Sequence, residues 1–298
     1  MINARPKVGI FYICTGKYRV FFPEFFQTFT TYFLLDCDLT FLVFTDTLDY
    51  IEPIDARVRL FHQEDQPWPW PTLLRFHMMQ RVATQCTDFD YLFFMNANLM
   101  CNQVVGSADF LPRHDRGEHL VAVQHPGYLG KPRAELPFET NPLSTAYVPP
   151  EGRDNYCLGG INGGTASAFL ALADALAAAV DSDLTLGLVA RWHDESHFNR
   201  YIKSRDDVRF LSPAYCFPEG WDGPYDPMIK LRDKSRFFDV NFHKGWQPAG
   251  RSRPLPARLG RALKPLLRLR PPERLGNSNS RVRDTPTMQA DPPWEPRF

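Results

Sequence analysis

No stretch of the sequence approaches the ~20 consecutive apolar residues that would cross a bilayer, so no membrane-spanning helix is predicted. Charge of one sign is not in excess, because 34 Lys and Arg residues balance 34 Asp and Glu residues. Without a global field to attract polyanions, nucleic-acid binding is not predicted. The six cysteines are widely spaced and form no C-x-x-C pair, which favours reduced, buried thiols over a zinc site or a disulfide framework.

A secretory signal is also missing from the start of the chain. Such a signal has a charged region, a long apolar region and a cleavage site in that order, whereas here Met1 leads almost directly into an apolar run that begins at Val8. We therefore expect a cytoplasmic enzyme. With 44% apolar and 14% aromatic residues, the chain has ample material for a folded core.

Apolar strands alternate with helical periodicity over the first hundred residues. This alternation predicts an α/β fold with a mostly parallel, Rossmann-like sheet, whose ligands bind beyond the carboxyl ends of the strands. Strands are predicted at 8–14, 38–45, 58–61, 91–95, 120–124 and 208–211, and helices at 72–84, 165–180 and 193–202. The segment 25–35 stays open between helix and extended chain, and the glycines of 159–164 are expected to form a tight turn.

The composition changes at Pro248. Residues 1–247 are predicted to form one catalytic domain and 248–298 a tail rich in proline and arginine, in which 251–270 holds seven basic and no acidic residues. Basic and leucine residues alternate over 258–270, a pattern compatible with peripheral docking on an anionic inner-membrane surface. Because Pro265 interrupts any helix there, plain disorder remains the alternative.

The run from Trp192 to Tyr201, W-H-D-E-S-H-F-N-R-Y, places two adjacent carboxylates, Asp194 and Glu195, between two histidines. A packed core does not call for such a set of side chains. The structural alternative is a helix N-terminus, with Asp194 as the cap and Glu195 favoured by the helix dipole.

Five motifs in order resemble glycosyltransferase family 6, the family of the blood-group A/B and α1,3-galactosyltransferases. The run at Trp192 is similar to the family's W-H-D-E-S-H-L-N-K-Y. The others are the segments that begin at His125 (similar to H-P-G-F-Y-G), Ala146 (A-Y-I-P), Tyr156 (Y-Y-L-G-G-F-F-G-G-S) and Leu211 (L-S-P-E-Y). The resemblance covers roughly residues 7–245 and implies a single GT-A type domain that transfers a hexose with retention of configuration.

The resemblance also implies roles for individual residues. Glu195 would face the anomeric carbon as nucleophile or as the partner of an oxocarbenium-like ion, and the two alternatives stay open. Residues implied to bind the donor sugar are Asp194, Leu158, Gly159, Gly160 and Arg75. For Arg75, a structural ion pair is the alternative. Residues implied to bind the nucleotide are Ile13, Cys14, Thr15, Tyr18, Asn96, Ala97 and Asn98. Residues implied to bind the acceptor are His125, Trp192 and His193.

Asn96 and Asn98 stand where vertebrate members of the family have an Asp-x-Asp motif that binds manganese. Two neutral amides cannot replace carboxylates as ligands of a hard cation, so no metal cofactor is expected, as in bacterial members with the same change. Protein cations must then stabilise the charge on the departing UDP. The candidates lie in a poorly aligned stretch and are Lys230, Arg232, Lys234, Arg236, His243 and Lys244.

The resemblance points to a donor as well. Leu158-Gly159-Gly160 matches the L-G-G of the blood-group A enzyme, and a glycine in place of alanine leaves room for an acetamido group, so UDP-GalNAc is the predicted donor. UDP-Gal is the alternative donor. The acceptor is predicted to be a terminal galactose of a glycan or lipid-linked oligosaccharide, with α1,3 linkage as the product. A binding module without catalysis is the alternative from another class.

Overall fold

The computed structural model describes residues 4–48, 55–152 and 154–240. Seven strands form a central sheet in the order β3-β2-β1-β4-β7-β6-β8. These strands are β1 (Lys7–Ile13), β2 (Asp38–Thr45), β3 (Val58–His62), β4 (Tyr91–Met95), β6 (Leu120–Gln124), β7 (Cys157–Thr165) and β8 (Val208–Leu211). The prediction of a mixed α/β fold with a large, mostly parallel sheet is confirmed, and all six predicted strands are present within one or two residues.

Strand direction fixes where a ligand can bind. Every pair in the sheet is parallel except the two that involve β7, which runs antiparallel to β4 and to β6. The strand order reverses beside β1, because the chain first builds outward through β2 and β3 and then returns to β4 on the other side. The carboxyl ends of β1, β4, β6 and β8 therefore share one edge with the amino end of β7, and a ligand crevice is expected at that edge.

The glycine-rich segment is a strand, so the prediction of a tight turn at 159–164 was wrong. Side chains on two of its glycines would collide with the neighbouring strands. A Cβ on Gly163 would overlap the Phe93 ring and the Leu92 carbonyl, and one on Gly164 would overlap the backbone at His119. Here glycine serves close backbone approach within a sheet, a use that a turn signal in the sequence does not distinguish.

The helices depart from prediction at two places. The undecided segment forms helix α1 (Phe22–Tyr32), with Pro23 in its first turn. The helix predicted over 72–84 is divided into α2 (Trp70–Leu73), α3 (Arg75–Gln80) and a 3-10 turn (Ala83–Gln85). The break between α2 and α3 occurs because Leu74 leaves the helical conformation, with φ −102° and ψ 15°. This break starts a new segment at Arg75, whose buried guanidinium reaches partners on the sheet.

The other two predicted helices are confirmed, with α5 (Ala166–Thr185) longer than predicted and α6 (Asp194–Ile202) beginning one residue late. The short helix α4 (Ser107–Phe110) was not predicted. Across the described ranges, we find no helix with both the length and the apolar character to cross a membrane.

A second, three-stranded sheet closes one side of the ligand edge. It has the order β5-β10-β9, with β5 (Leu99–Cys101), β9 (Phe217–Pro218) and β10 (Ile229–Leu231). Two hydrophobic clusters cover the faces of the central sheet, one around α1 and the other between α3, α5 and α6. The tail at 248–298 lies outside the described residues.

Candidate active site

Helix α6 brings the paired carboxylates to the ligand edge. The residue before the helix, His193, has φ 53° and ψ −127°, a conformation that costs a non-glycine residue about 1–3 kcal/mol. Such strain persists only where the surrounding structure enforces it, and it clusters at functional sites. The side chain of Asp194 is buried behind this turn, and that of Glu195 is half-buried.

Glu195 is held by two short hydrogen bonds. The Tyr156 hydroxyl donates to Oε1 at 2.6 Å, and the backbone amide of Gly159 donates to Oε2 at 2.7 Å. Asn199, one turn further along α6, accepts from the Cys157 amide and donates to the Cys157 carbonyl. This bidentate contact ties α6 to the start of β7 and thereby fixes the direction of the Glu195 carboxylate.

Asp194 and Arg75 form an ion pair in the interior. Arg75 Nε lies 3.1 Å from Asp194 Oδ2, and these side chains are 8% and 2% exposed. The guanidinium also donates to the Gly159 carbonyl at 2.9 Å and lies 4.1 Å from the centroid of the Phe94 ring. One cation therefore joins β7, β4 and α6 directly beneath the carboxylate pair.

Gly159 and Gly160 line the cleft at the amino end of β7. A Cβ on Gly159 would lie 3.2 Å from Glu195 Cβ and 3.5 Å from Asp194 Oδ2. A Cβ on Gly160 would lie 3.3 Å from both Asn96 Nδ2 and Leu158 Cδ1. The structure thus brings together the six residues predicted at the catalytic and donor-sugar positions, which come from α3, β7 and α6.

Burial raises the pKa of both carboxyl groups. The pKa of Glu195 rises from 4.5 to about 7, because desolvation outweighs the hydrogen bonds from Tyr156 and Gly159, and the charge of Asp194 adds to the rise. The pKa of Asp194 rises from 3.8 to about 6, since desolvation exceeds the attraction of Arg75. Perturbed carboxyl groups in a cleft indicate a functional site.

If Glu195 faces an anomeric carbon, as the resemblance implies, sugar transfer should increase as the pH rises through about 7, because only an ionised carboxylate stabilises positive charge there. Stability should change in the opposite direction. The folded state holds the Glu195 proton more tightly than the unfolded chain, so the free energy of unfolding loses this contribution between pH 4.5 and about 7. Measurements of kcat/KM for the donor and of urea unfolding from pH 5 to 9 test these two expectations. If activity and the free energy of unfolding changed in the same direction with pH, the raised pKa could not be assigned to Glu195.

The residues predicted to bind the nucleotide follow β1. Ile13 is half-buried, Thr15 is buried, and Cys14 is fully buried with its pKa raised to about 12 by desolvation, so its thiol is inert at neutral pH. Tyr18 lies in the following 3-10 turn (Gly16–Phe21). Lys234 Nζ is 5.1 Å from the centroid of the Tyr18 ring, which brings a predicted phosphate contact next to a predicted base contact.

The Asn96-Ala97-Asn98 segment leaves the carboxyl end of β4 as predicted. Asn96 is half-buried, whereas Ala97 and Asn98 are buried. Asn98 Nδ2 donates to the Arg232 carbonyl at 2.6 Å, and the Arg232 amide donates to the Asn98 carbonyl at 2.8 Å. An aspartate could not make the first of these bonds. The asparagine thus holds the segment that carries the predicted phosphate contacts against β4.

The side-chain oxygens of Asn96 and Asn98 do not suit a divalent cation as ligands. Mn²⁺ binds charged carboxylates, whereas Asn98 offers one neutral carbonyl whose amide is already committed to Arg232. Within the described ranges, no group of three or more His, Cys, Asp or Glu residues has a geometry that could hold a metal ion.

The other basic residues predicted to bind the diphosphate differ in their partners and positions. Arg232 is paired with Glu24 and with Glu219, and Arg236, which is largely exposed, is also paired with Glu219. Lys230 lies on β10, opposite Met100 of β5. His243 and Lys244 lie outside the described residues. The structure therefore places the Lys234 ammonium beside Tyr18 and the Arg232 guanidinium in a network with Glu24 and Glu219.

The residues predicted to bind an acceptor lie on the other half of the ligand edge. His125 follows β6, with its ring centroid 5.9 Å from that of Tyr156. Burial lowers the pKa of His125 to about 4, and the Gly127 amide donates to Nδ1, so the neutral ring carries its proton on Nε2. Trp192 packs against an aromatic cluster that includes Tyr156, and the His193 ring lies 4.7 Å from Trp68.

Sequence reasoning assigned no role to Tyr156 or Asn199, although both lie in the quoted motifs. A buried tyrosine hydroxyl needs a hydrogen-bond partner, and this requirement is a signal that could have pointed to Tyr156. Its partner, Glu195, could be named only from the tertiary structure.

A mostly parallel sheet whose ligand edge brings a carboxylate pair on α6 against the glycines of β7 is an arrangement that fits a glycosyltransferase of the α/β class. The family model described as Glycosyltransferase family 6 matches residues 3–237. The O-antigen biosynthesis glycosyltransferase WbnI of Escherichia coli is 31% identical over 229 residues, which cover 77% of this chain and 95% of WbnI. The chain belongs to glycosyltransferase family 6 and is a hexosyltransferase.

Two mammalian relatives extend the comparison. Human globoside alpha-1,3-N-acetylgalactosaminyltransferase 1 is 27% identical over 75% of this chain and 64% of its own length. Rat histo-blood group ABO system transferase 1 is 28% identical over 76% of this chain and 65% of its own length. The chain thus spans slightly less than two thirds of either mammalian protein.

Proposed function

We propose that this enzyme transfers GalNAc from UDP-GalNAc in α1,3 linkage to a terminal galactose, with retention of configuration and without a metal ion. The observation that carries the proposal is the position of Glu195. Its carboxylate is held against Gly159 by the hydrogen bonds described above, between the half of the edge that follows β1 and β4 and the half that follows β6. A donor whose UDP occupied the first half would present its sugar to this carboxylate.

The reaction needs one bond broken and one formed at the anomeric carbon. The bond to the β-phosphate oxygen breaks, its electron pair leaves with UDP, and Glu195 stabilises the positive charge or bonds to the carbon transiently. The acceptor hydroxyl then adds on the face that UDP left, and its proton passes to the β-phosphate. Asp194 Oδ2 faces Arg75, and in this proposal the Asp194 carboxylate also accepts hydrogen bonds from hydroxyls of the donor sugar.

Protein cations take the place of a metal in this proposal. Lys234, beside Tyr18, is the candidate for the diphosphate, because Arg232 and Arg236 already face Glu219. A fixed cation in a water-poor cleft stabilises developing charge without reorganisation.

We expect full transfer activity in excess EDTA and no increase on addition of Mn²⁺, because the side-chain amides of Asn96 and Asn98 carry no charge to bind the cation. Initial rates with and without chelator measure this directly. A strict manganese requirement would show that the role of the two amides had been misread.

The donor assignment rests on the space at Gly160. Because a Cβ there would lie 3.3 Å from Asn96 and from Leu158, an alanine narrows this side of the cleft. The human globoside relative is, by name, an N-acetylgalactosaminyltransferase. Galactose from UDP-Gal is the second candidate. It is supported by human alpha-1,3-galactosyltransferase 2, which is 33% identical to this chain over 112 residues, or 38% of the chain.

Gly160→Ala should lower kcat/KM for UDP-GalNAc relative to UDP-Gal by roughly 10-fold or more, since about 1–3 kcal/mol of discrimination follows from one methyl-sized change. A competition assay with both donors gives the ratio in one vessel. Gly106→Ala is the matched control, because Gly106 has the ordinary extended conformation, with φ −88° and ψ 163°, and a Cβ there meets only Asp109 Oδ2 at 3.4 Å. An unchanged donor ratio in Gly160→Ala would remove this residue from donor selection.

The experiment that tests the whole proposal is an acceptor array with UDP-GalNAc and UDP-Gal, each with and without EDTA. Transfer to β-galactosides from UDP-GalNAc supports it, and exclusive use of UDP-Gal favours the second donor. Family membership and the presence of both carboxylates speak against a non-catalytic binding module. Slow hydrolysis of the UDP-sugar without acceptor would exclude that alternative.

A further inference from the structure

An exposed tryptophan marks the outer rim of the half of the ligand edge that follows β6. Trp221 lies just after β9 and is 39% exposed. Its neighbour Gly220 has φ 80°, a turn conformation that suits glycine and directs the chain at this point. An indole with this exposure at a cleft is typical of a binding surface, because it offers a large rigid face at low entropic cost.

Aromatic rings lead from Glu195 outward to this tryptophan. Tyr156 contacts Glu195 and is 4% exposed, and the His125 ring lies 5.9 Å from the Tyr156 ring. The next step is Gly127, where a Cβ would lie 3.4 Å from His125 Cε1 and 3.6 Å from Trp221 Cη2. A methyl group at this position would be in van der Waals contact with both rings, so glycine leaves the space beside them open.

We infer that Trp221 is a specificity-determining residue that stacks on the second sugar of the acceptor, counted from the sugar that receives the new linkage. This inference rests on the proposed function. The sugar beside Glu195 would meet the neutral His125, whose Nε2–H can donate to a hydroxyl. The following pyranose would reach the indole at the rim, where the apolar C–H face of the sugar covers exposed aromatic surface.

The consequence is a preference for oligosaccharides over simple galactosides. Pro218, three residues before the tryptophan, has no side-chain hydrogen-bonding group. Trp221 then supplies acceptor affinity by stacking. The preference should reside in KM and not in kcat, because the second sugar is remote from the reacting atoms.

The test compares wild type, Trp221→Ala, Trp221→Phe and Gly127→Ala with UDP-GalNAc and two acceptors, methyl β-galactoside and lactose. Trp221→Ala should raise KM for lactose about tenfold and KM for methyl β-galactoside less than about twofold. Trp221→Phe keeps an aromatic face and should retain most of the lactose affinity. Gly127→Ala closes the gap beside an intact tryptophan and should also raise KM for lactose.

Donor hydrolysis without acceptor is measured for every variant and should be unchanged, which shows that the fold and donor site are intact. Equal changes of KM for the two acceptors, or none for lactose, would overturn the inference. If wild type hydrolyses UDP-GalNAc but glycosylates no galactoside, the proposed acceptor is wrong. The Trp221 variants are then compared on the terminal sugar that the array shows to be used, supplied as a monosaccharide and as the corresponding disaccharide. The measured quantity is again the change of KM for each of the two acceptors.

Discussion

Glu195→Gln is expected to reduce sugar transfer by about 10³-fold or more while UDP affinity stays within about twofold of wild type. The amide keeps the size of the side chain and an oxygen that can accept from Tyr156 or Gly159. It lacks the negative charge that the anomeric centre requires. Initial rates with UDP-GalNAc, together with calorimetric titration of UDP, separate the loss of chemistry from the loss of binding.

Glu135→Gln is the matched control, because Glu135 is exposed and lies 4.0 Å from Lys131 in a surface pair. A surface pair of this kind contributes about 0–1 kcal/mol, so both activity and stability should remain close to wild type. If Glu195→Gln turned over at the wild-type rate, Glu195 would have no part in the mechanism.

Arg75→Met is expected to destabilise the enzyme by about 3–5 kcal/mol, because it leaves the Asp194 carboxylate buried without its cation. The Gly159 carbonyl loses a hydrogen bond at the same time. Urea unfolding measures the loss. Since removal of the pair costs less than removal of one partner, the double variant Arg75→Met/Asp194→Asn should recover part of the stability without recovering activity.

Arg57→Met provides the comparison on the surface. Arg57 also pairs with an aspartate, Asp55, but both side chains are at least one third exposed, and the expected loss is below about 1 kcal/mol. Similar losses for Arg57→Met and Arg75→Met would mean that the buried pair has no special role in holding β7 against α6.

The positions of the candidate residues in the fold could be predicted from the sequence where one segment carries the information. Asp194 and Glu195 are adjacent in the chain, and the helix that starts with them was visible from its periodicity. Asn96 was placed correctly at the ligand edge, because any residue that follows a parallel strand lies there. The prediction failed at the glycines of β7, since glycine supports both a turn and a close strand, and only the packing against Phe93 separates the two.

The break of the predicted helix at Leu74 has a similar origin. The apolar periodicity over 72–84 is continuous in the sequence, and no proline or glycine marks position 74. In the structure, Arg75 turns toward the Gly159 carbonyl, 84 positions further along the chain. A buried guanidinium needs its partners, and this requirement overrides local helix propensity.

The sequence by itself determined the family, the identity of the paired carboxylates, the amides in place of metal ligands and the strands that carry them to one edge. These features depend on residue identity and on short-range periodicity. The tertiary structure alone decided that Tyr156 and Gly159 hold Glu195, that Arg75 faces Asp194, and that burial raises the pKa values of both carboxyl groups. Desolvation and these pairings arise between residues distant in the chain, so they exist only once the sheet and α6 have packed together.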